Sequence, residues 1–223
     1  MSYSISPDEK RVAFDSPERD GRFRLWIAAL DRHFSPRQIT FRSGESTPFY
    51  GKSGKLYFLA AEGDYNFLFR MNEDGSQKEK LLQEPIASIA NISPDEKWAI
   101  LFRGLKREDQ DYSLEAFSLE GKGFVPVCHK NLCSIDWSRD GKSLYISYST
   151  MSSATGGRTF IVPLTNGLSF RNLPRAGIAS ESDLPNGSHL KAIDQQLTAG
   201  PTADVYAFVK RDVHRNLYRV PLP

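Results

Sequence analysis

Short apolar runs recur along this chain, each opened by a compact polar turn. Val12-Ala13-Phe14 follows Ser6-Pro7-Asp8-Glu9-Lys10, and Leu56-Tyr57-Phe58-Leu59 follows Lys52-Ser53-Gly54-Lys55. Trp98-Ala99-Ile100-Leu101-Phe102 follows Ser93-Pro94-Asp95-Glu96-Lys97, and Leu144-Tyr145-Ile146-Ser147-Tyr148 follows Ser138-Arg139-Asp140-Gly141-Lys142. Runs this short, rich in β-branched and aromatic residues and bounded by turn formers, predict strands. Each run is followed by a polar connection and another apolar run: Phe23–Ile27, Phe67–Met71, Leu114–Phe117 and Thr159–Val162. Weaker fourth runs come next, at Gln38–Phe41, Lys80–Leu82, Phe124–Val127 and Leu168–Phe170. Proline and charge in them are what an exposed sheet edge uses to discourage foreign pairing. Before the turns, Ser2–Ile5, Ile86–Ile92 and Ser134–Trp137 read as first strands lining a central channel.

The turns give the period. The closing lysines Lys10, Lys55, Lys97 and Lys142 stand 45, 42 and 45 residues apart. That interval matches one four-stranded unit of a β-propeller, a ring of small antiparallel sheets stacked about an axis. Proline presets the φ of a turn, Ser or Asp bonds nearby backbone, and Gly supplies left-handed geometry, so each turn joins antiparallel strands. The chain is therefore expected to be all-β and a single propeller domain over residues 1–223. Its blades fall at 2–41, 46–83, 86–127, 132–174 and 187–222. In the fifth, Leu190–Ile193 is expected as first strand, Val205–Val209 as second and Asn216–Val220 as third, with no fourth strand. A ring closes when both chain ends contribute to one blade, so the missing strand is expected upstream of Met1, in a longer protein with about one further blade.

Composition narrows the function classes. With 39% hydrophobic and 25% charged residues the chain is ordinary globular protein, and 29 Lys+Arg against 27 Asp+Glu leave a net charge of only +2. No strong positive field exists to draw in nucleic acid. No run approaches a membrane span, and the first residues lack the basic and apolar regions of a signal peptide.

Candidate chemistry is sparse. His33, His129, His189 and His214 are scattered, and the chain lacks a Gly-x-Ser-x-Gly elbow and a His-Glu-x-x-His pair. Thr155-Gly156-Gly157-Arg158 lies between two strands and opens no helix, which makes it a hairpin loop and not a phosphate cradle. Glu108, Asp109 and Asp111 could hold calcium, but mixed with Lys106 and Arg107 they read as a solvated loop tip. Trp26, Trp98 and Trp137 are expected to pack between blades, with an aromatic hot spot at a channel mouth as the alternative. Asn91-Ile92-Ser93 and Asn186-Gly187-Ser188 fit a glycosylation pattern by chance.

Cys128 and Cys133 allow three readings. They are buried small apolar side chains near a blade edge, the ordinary expectation. Alternatively they form a disulfide in an oxidising compartment, or, least expected, bind a metal with His129.

Ser6-Pro7-Asp8-Glu9-Lys10 with Val12-Ala13-Phe14, the Leu25-Trp26-Ile27 strand and Arg37-Gln38-Ile39-Thr40 resemble the WD-like repeats of TolB-type six-bladed propellers, over residues 2–175. Pro201–Phe208 with Arg215–Leu222 resembles the end of propellers appended to bacterial serine/threonine protein kinases and some transcriptional regulators. That second resemblance implies a sensor or scaffold outside the membrane, behind a kinase domain and a span. The kinase nucleotide loop, His-Arg-Asp and Asp-Phe-Gly motifs are absent from these residues. The expected function is thus recognition of a protein or small ligand on a propeller face, without catalysis or cofactor. The alternative is the substrate-gating propeller of a prolyl-oligopeptidase-like hydrolase, and the sequence names no ligand-binding residue.

Overall fold

The computed structural model describes residues 1–31, 34–41, 44–103, 113–121, 123–128, 133–148, 157–164, 177–178, 183–184 and 191–209. Among them the chain is all-β, in five antiparallel sheets. Blade 1 is the meander β1 (Tyr3–Ile5), β2 (Arg11–Pro17), β3 (Phe23–Ala29) and β4 (Arg37–Gln38). Blade 2 is β5 (Glu45–Tyr50), β6 (Leu56–Glu62), β7 (Tyr65–Met71) and β8 (Glu79–Lys80). Blade 3 is β9 (Ser88–Ile92), β10 (Trp98–Arg103), β11 (Ser113–Ser118) and β12 (Phe124–Cys128). Blade 4 is β13 (Cys133–Trp137), β14 (Ser143–Tyr148), β15 (Arg158–Pro163) and β16 (Lys191–Ile193). A fifth unit pairs β17 (Leu197–Ala199) with β18 (Tyr206–Phe208).

Three strand assignments differ from the expectation. Leu190–Ile193 was expected to open the fifth unit, yet Lys191–Ile193 pairs with β15 as the outer strand of blade 4. Leu197–Ala199 is the first strand of the fifth unit. The segment expected to close blade 4, Leu168–Phe170, falls outside the described residues. Asn216–Val220 falls outside them too. The third difference is β5, which no sequence signal marked. Pro48 interrupts its pattern, Thr47 adopts φ +54°, and the pairing with β6 shifts register between Ser46 and Phe49. A bulge of this kind hides the alternation that identifies a strand.

The core sits in the seams between blades. Ala13, Leu25 and Ile27 of blade 1 pack on Leu56, Phe58, Ala60 and Met71 of blade 2. The other face of blade 2, with Tyr57, Leu59 and Leu68, meets Ile89, Ile92, Ala99, Leu101 and Phe117 of blade 3. Ile100, Leu114, Ala116 and Val127 then meet Ile135, Trp137, Leu144, Ile146, Phe160 and Val162 of blade 4. Tyr145 and Ile161 of blade 4 receive Leu197 of the fifth unit. Each blade is thus apolar on both faces, which is why its second strand reads as a continuous apolar run.

The cysteine reading is corrected. Cys128 and Cys133 are joined in a disulfide with their Cα atoms 6.1 Å apart, not two free thiols. Both are buried, and the bond ties the last strand of blade 3 to the first of blade 4. Ile178 pairs alongside Cys128 and donates its N–H to the Val127 carbonyl at 2.7 Å. Spacing alone does not reveal that the two strand ends meet.

Candidate binding face

The four predicted turns form one geometric family. In blade 1 the Ser6 hydroxyl faces the Asp8 carboxylate and accepts the Arg11 N–H at 2.9 Å, while Asp8 accepts the Lys10 N–H at 3.2 Å. The Ser93 hydroxyl donates to Asp95 at 2.6 Å and accepts from Trp98 N–H at 2.9 Å. The Ser138 hydroxyl donates to Asp140 at 2.6 Å and accepts from Ser143 N–H at 3.0 Å. The fourth position of each turn is left-handed: Glu9 (φ +58°), Gly54 (+83°), Glu96 (+55°) and Gly141 (+71°). Pro-Asp-Glu and Asp-Gly are thus two chemical solutions to one backbone demand.

A fifth, related turn escaped the sequence search; its fourth residue, Ala203, is not left-handed, and its inner bond runs from the Val205 N–H to the Thr202 carbonyl at 3.1 Å. Gly200 N–H bonds the Val205 carbonyl at 2.9 Å, as Ser93 N–H bonds that of Trp98. Gly200-Pro201 takes the place of Ser-Pro, but the closing lysine is missing, and blade 4's long third-to-fourth connection breaks the period.

These five turns open at one end of the strands. Exposed there are Glu9, Lys10, Lys52, Lys97, Arg139, Lys142 and Thr202. Glu9 of blade 1 and Arg139 of blade 4 form an ion pair, so the turns of blades three steps apart meet across the axis. Glu96 reaches sideways from blade 3 to blade 2, where its carboxylate accepts the Ser53 hydroxyl at 2.9 Å and the Tyr57 phenol at 2.8 Å. Burial, reinforced by this carboxylate, pushes the Tyr57 phenol up to about 12.

Beneath the turns of blades 1, 3 and 4 the inner strands are clasped by the side chains two residues before the turn, Ser4, Asn91 and Asp136. Ser4 accepts the Tyr50 N–H of blade 2 at 2.9 Å. Asp136 accepts Asn91 Nδ2 of blade 3 at 2.8 Å, the Trp137 N–H at 2.9 Å and Ala199 N–H of the fifth unit at 3.3 Å. Burial pushes the Asp136 carboxyl above the usual range, against the pull of these three donors. Deeper in blade 1, Asp15 accepts Ser2 N–H at 2.6 Å and Thr47 N–H at 2.9 Å. Asp15 and Asp136 were not singled out by sequence. The available signal was a polar residue at one fixed offset, in Ser4, Asn91, Asp136 and Thr198.

At the opposite end of blade 1, Glu18, Arg19, Asp20, Arg24, Gln38 and Phe41 line an open depression of about 320 Å³. Its mixed charge selects no ligand class.

Of the sequence candidates, Trp98 and Trp137 lie at the blade 3–4 seam as expected. Trp26 is half-buried and points to the face of blade 1 opposite Leu25 and Ile27, away from the seam with blade 2. Asn91 is engaged with Asp136. His33, His129, His189, His214, Glu108, Asp109, Asp111, Thr155, Gly156 and Asn186 lie outside the described residues. Gly157 directly precedes β15, in a β14–β15 hairpin connection. Among the described residues, His, Cys, Asp and Glu form no group of three or more suited to a metal ion, and no helix is long and apolar enough to cross a membrane.

No protein-family model matches the chain, and no curated protein does. Solved structures are similar. TolB from Acinetobacter baumannii superposes with a TM-score of 0.58 at 18% identity, over 75% of this chain and 42% of its own. A putative TolB from Agrobacterium tumefaciens gives 0.57 at 15% identity, over 73% of this chain and 57% of its own. A chain in a nidogen/laminin complex gives 0.57 at 10% identity, over 93% of this chain and 70% of its own. The chain spans less than two thirds of either TolB. Together with the meander sheets, the repeated turns and the apolar seams, these likenesses give the chain a TolB-like β-propeller fold.

Proposed function

We propose that this chain is a non-catalytic recognition propeller that binds a protein or small ligand on the turn-bearing face. The observation that carries this reading is the gathering of four equivalent turns and a fifth related one at one end of the sheets, the four presenting different exposed side chains from a shared backbone frame. Rigid frames with variable tips are how scaffolds carry binding residues. The likeness to a chain from a nidogen/laminin complex is in keeping with protein binding on such a face. The disulfide favours an oxidising compartment. That setting agrees with the sensor or scaffold region of a larger bacterial signalling protein, such as a serine/threonine kinase, which the chain's last residues resemble.

The test is site-specific photo-crosslinking in the source cell, with the probe at Lys97 or Lys142 on the turn face and at Asp64 on the opposite one. Partner adducts are expected from the first two sites. Adducts from Asp64 alone, or from none of the three, would refute the assignment of the face.

A further inference from the structure

The second position of the repeated turn divides the blades into two groups. Proline holds it in blades 1 and 3 and in the related turn of the fifth unit, as Pro7, Pro94 and Pro201. Blades 2 and 4 have cations instead, Lys52 and Arg139, both exposed. Proline there presets the φ that the turn needs, so a cation gives up rigidity that the residue itself could supply. Backbone demand explains part of the exchange: the Arg139 N–H donates to the Gly200 carbonyl at 3.1 Å, a bond that proline could not make. It does not explain why both replacements carry a positive charge.

Neighbouring turns restore the rigidity. Glu96 of the blade 3 turn accepts both the N–H and the hydroxyl of Ser53 in the blade 2 turn. Gly141 of blade 4 lies against blade 3, where a Cβ built on it would stand 3.5 Å from that of Pro94. The Asp140 N–H donates to the Pro201 carbonyl at 3.1 Å, beside the bond from Arg139. The tips of blades 2, 3 and 4 and of the fifth unit thus form one continuous rim. A surface ordered in advance loses little entropy on binding.

The charges of the rim are unequally available. Glu96 is turned sideways onto Ser53 and Tyr57. Asp95 accepts the Ser93 hydroxyl and the Lys97 N–H, and Asp140 accepts the Ser138 hydroxyl and the Lys142 N–H. Lys52, Lys97 and Lys142 are exposed and make no ion pair among the described residues. Arg139 is paired with Glu9, but the two side chains are 64% and 63% exposed, and so open a pair is weak enough for another carboxylate to exchange with it.

We propose that this rim docks an acidic peptide segment of a partner protein, with carboxylates seated on Lys52 and Arg139 on either side of the blade 3 turn. The proposal rests on the turn face being the binding face and adds the chemistry of the partner. Glu9 already places one carboxylate on Arg139, so the guanidinium is accessible to that group. A dense polyanion fits less well, because its closely spaced phosphates would also run over Asp95 and Asp140, which stand exposed among the cations. Separated carboxylates on a flexible peptide can avoid them. With a net charge of only +2 on the chain, the attraction acts at contact and not at long range.

The test is a fluorescence-anisotropy titration of the full chain with three labelled probes: a peptide of alternating Glu and Gly, its counterpart with Gln for Glu, and an oligothymidylate. The Glu peptide is expected to bind more tightly than the other two, and to weaken about tenfold in the Lys52→Glu, Arg139→Glu double variant. Arg19→Glu, at the opposite end of blade 1, should leave its binding unchanged. An unaltered thermal midpoint keeps a loss of binding from being a loss of fold. Equal binding of the Glu and Gln peptides, or an equal loss in Arg19→Glu, would overturn the proposal. Tighter binding of the oligonucleotide would overturn the assignment to a peptide. The face itself fails separately: photo-adducts at Lys97 or Lys142 without binding of the Glu peptide would overturn the acidic chemistry alone, whereas their absence would overturn the face.

Discussion

Glu96 and Gly51 occupy one small space from two blades. A Cβ on Gly51 would stand 2.6 Å from the Glu96 carboxyl carbon, although Gly51 holds the place that Ser6, Ser93 and Ser138 take in the other turns. The serine found there elsewhere is displaced in blade 2 by a carboxylate from the next blade. The turn's local hydrogen bond has become a contact across the seam.

Gly51→Ala is therefore expected to cost about 0.5–1.5 kcal/mol, because the flexible Glu96 side chain must swing aside and give up its bonds to Ser53 and Tyr57. In a Glu96→Ala background the same substitution should cost clearly less. Denaturant unfolding of the four proteins gives the coupling, and additive costs would show that the two residues do not compete.

The carboxylates of the inner strands and turns should titrate on opposite sides of the ordinary aspartate value. Asp136 is pushed up by burial, so its native state keeps a proton that the unfolded chain has lost. Its contribution to stability is then present at low pH and falls as pH rises through the window above 3.8. Asp140 is held down by the Ser138 hydroxyl and the Lys142 N–H, so its contribution is present at neutral pH and falls as pH drops below 3.8. Carboxyl-carbon NMR titration should show this order, and coincident midpoints would contradict it.

Ser138→Ala removes a hydroxyl that is fully buried and both donates and accepts. The expected cost is about 1–3 kcal/mol, since Ser143 N–H loses its acceptor. Asp140 should titrate closer to 3.8 in the variant. An unmoved Asp140 would mean that the hydroxyl is not what holds it down.

Alkylation of unreduced, unfolded protein should label neither Cys128 nor Cys133, and reduction should expose both. Replacing the pair by serine should lower stability by about 2 kcal/mol, the loop-entropy value for so short a ring. Labelling without reductant would rule out the bond.

Phe58→Ala should cost about 3–5 kcal/mol, because the ring is wholly buried where blades 1 and 2 meet. Phe41→Ala, at a ring 82% exposed, should stay within about 0.5 kcal/mol. Thermal unfolding separates them, and equal losses would argue against the seam as the core.

What the sequence showed most clearly were the turns and the strands that flank them. Ser-x-Asp bonding acts over two residues and a left-handed bend over one, so Ser93–Lys97 and Ser138–Lys142 were legible without any partner. β5 was not, because Pro48 and the bulge at Thr47 erase its alternation. The clasp at Asp136 was hidden differently: one acidic residue in a strand is unremarkable until Asn91 and Ala199 arrive from other blades.

By itself the sequence determined the repeat unit and its period, since those rest on contacts between near neighbours. Only the tertiary structure decided that Lys191–Ile193 closes blade 4, that Cys128 meets Cys133, and that Glu9 faces Arg139 across the axis. Such pairings join residues brought together by the stacking of sheets, and stacking depends on which apolar face finds which, a choice that no local pattern encodes.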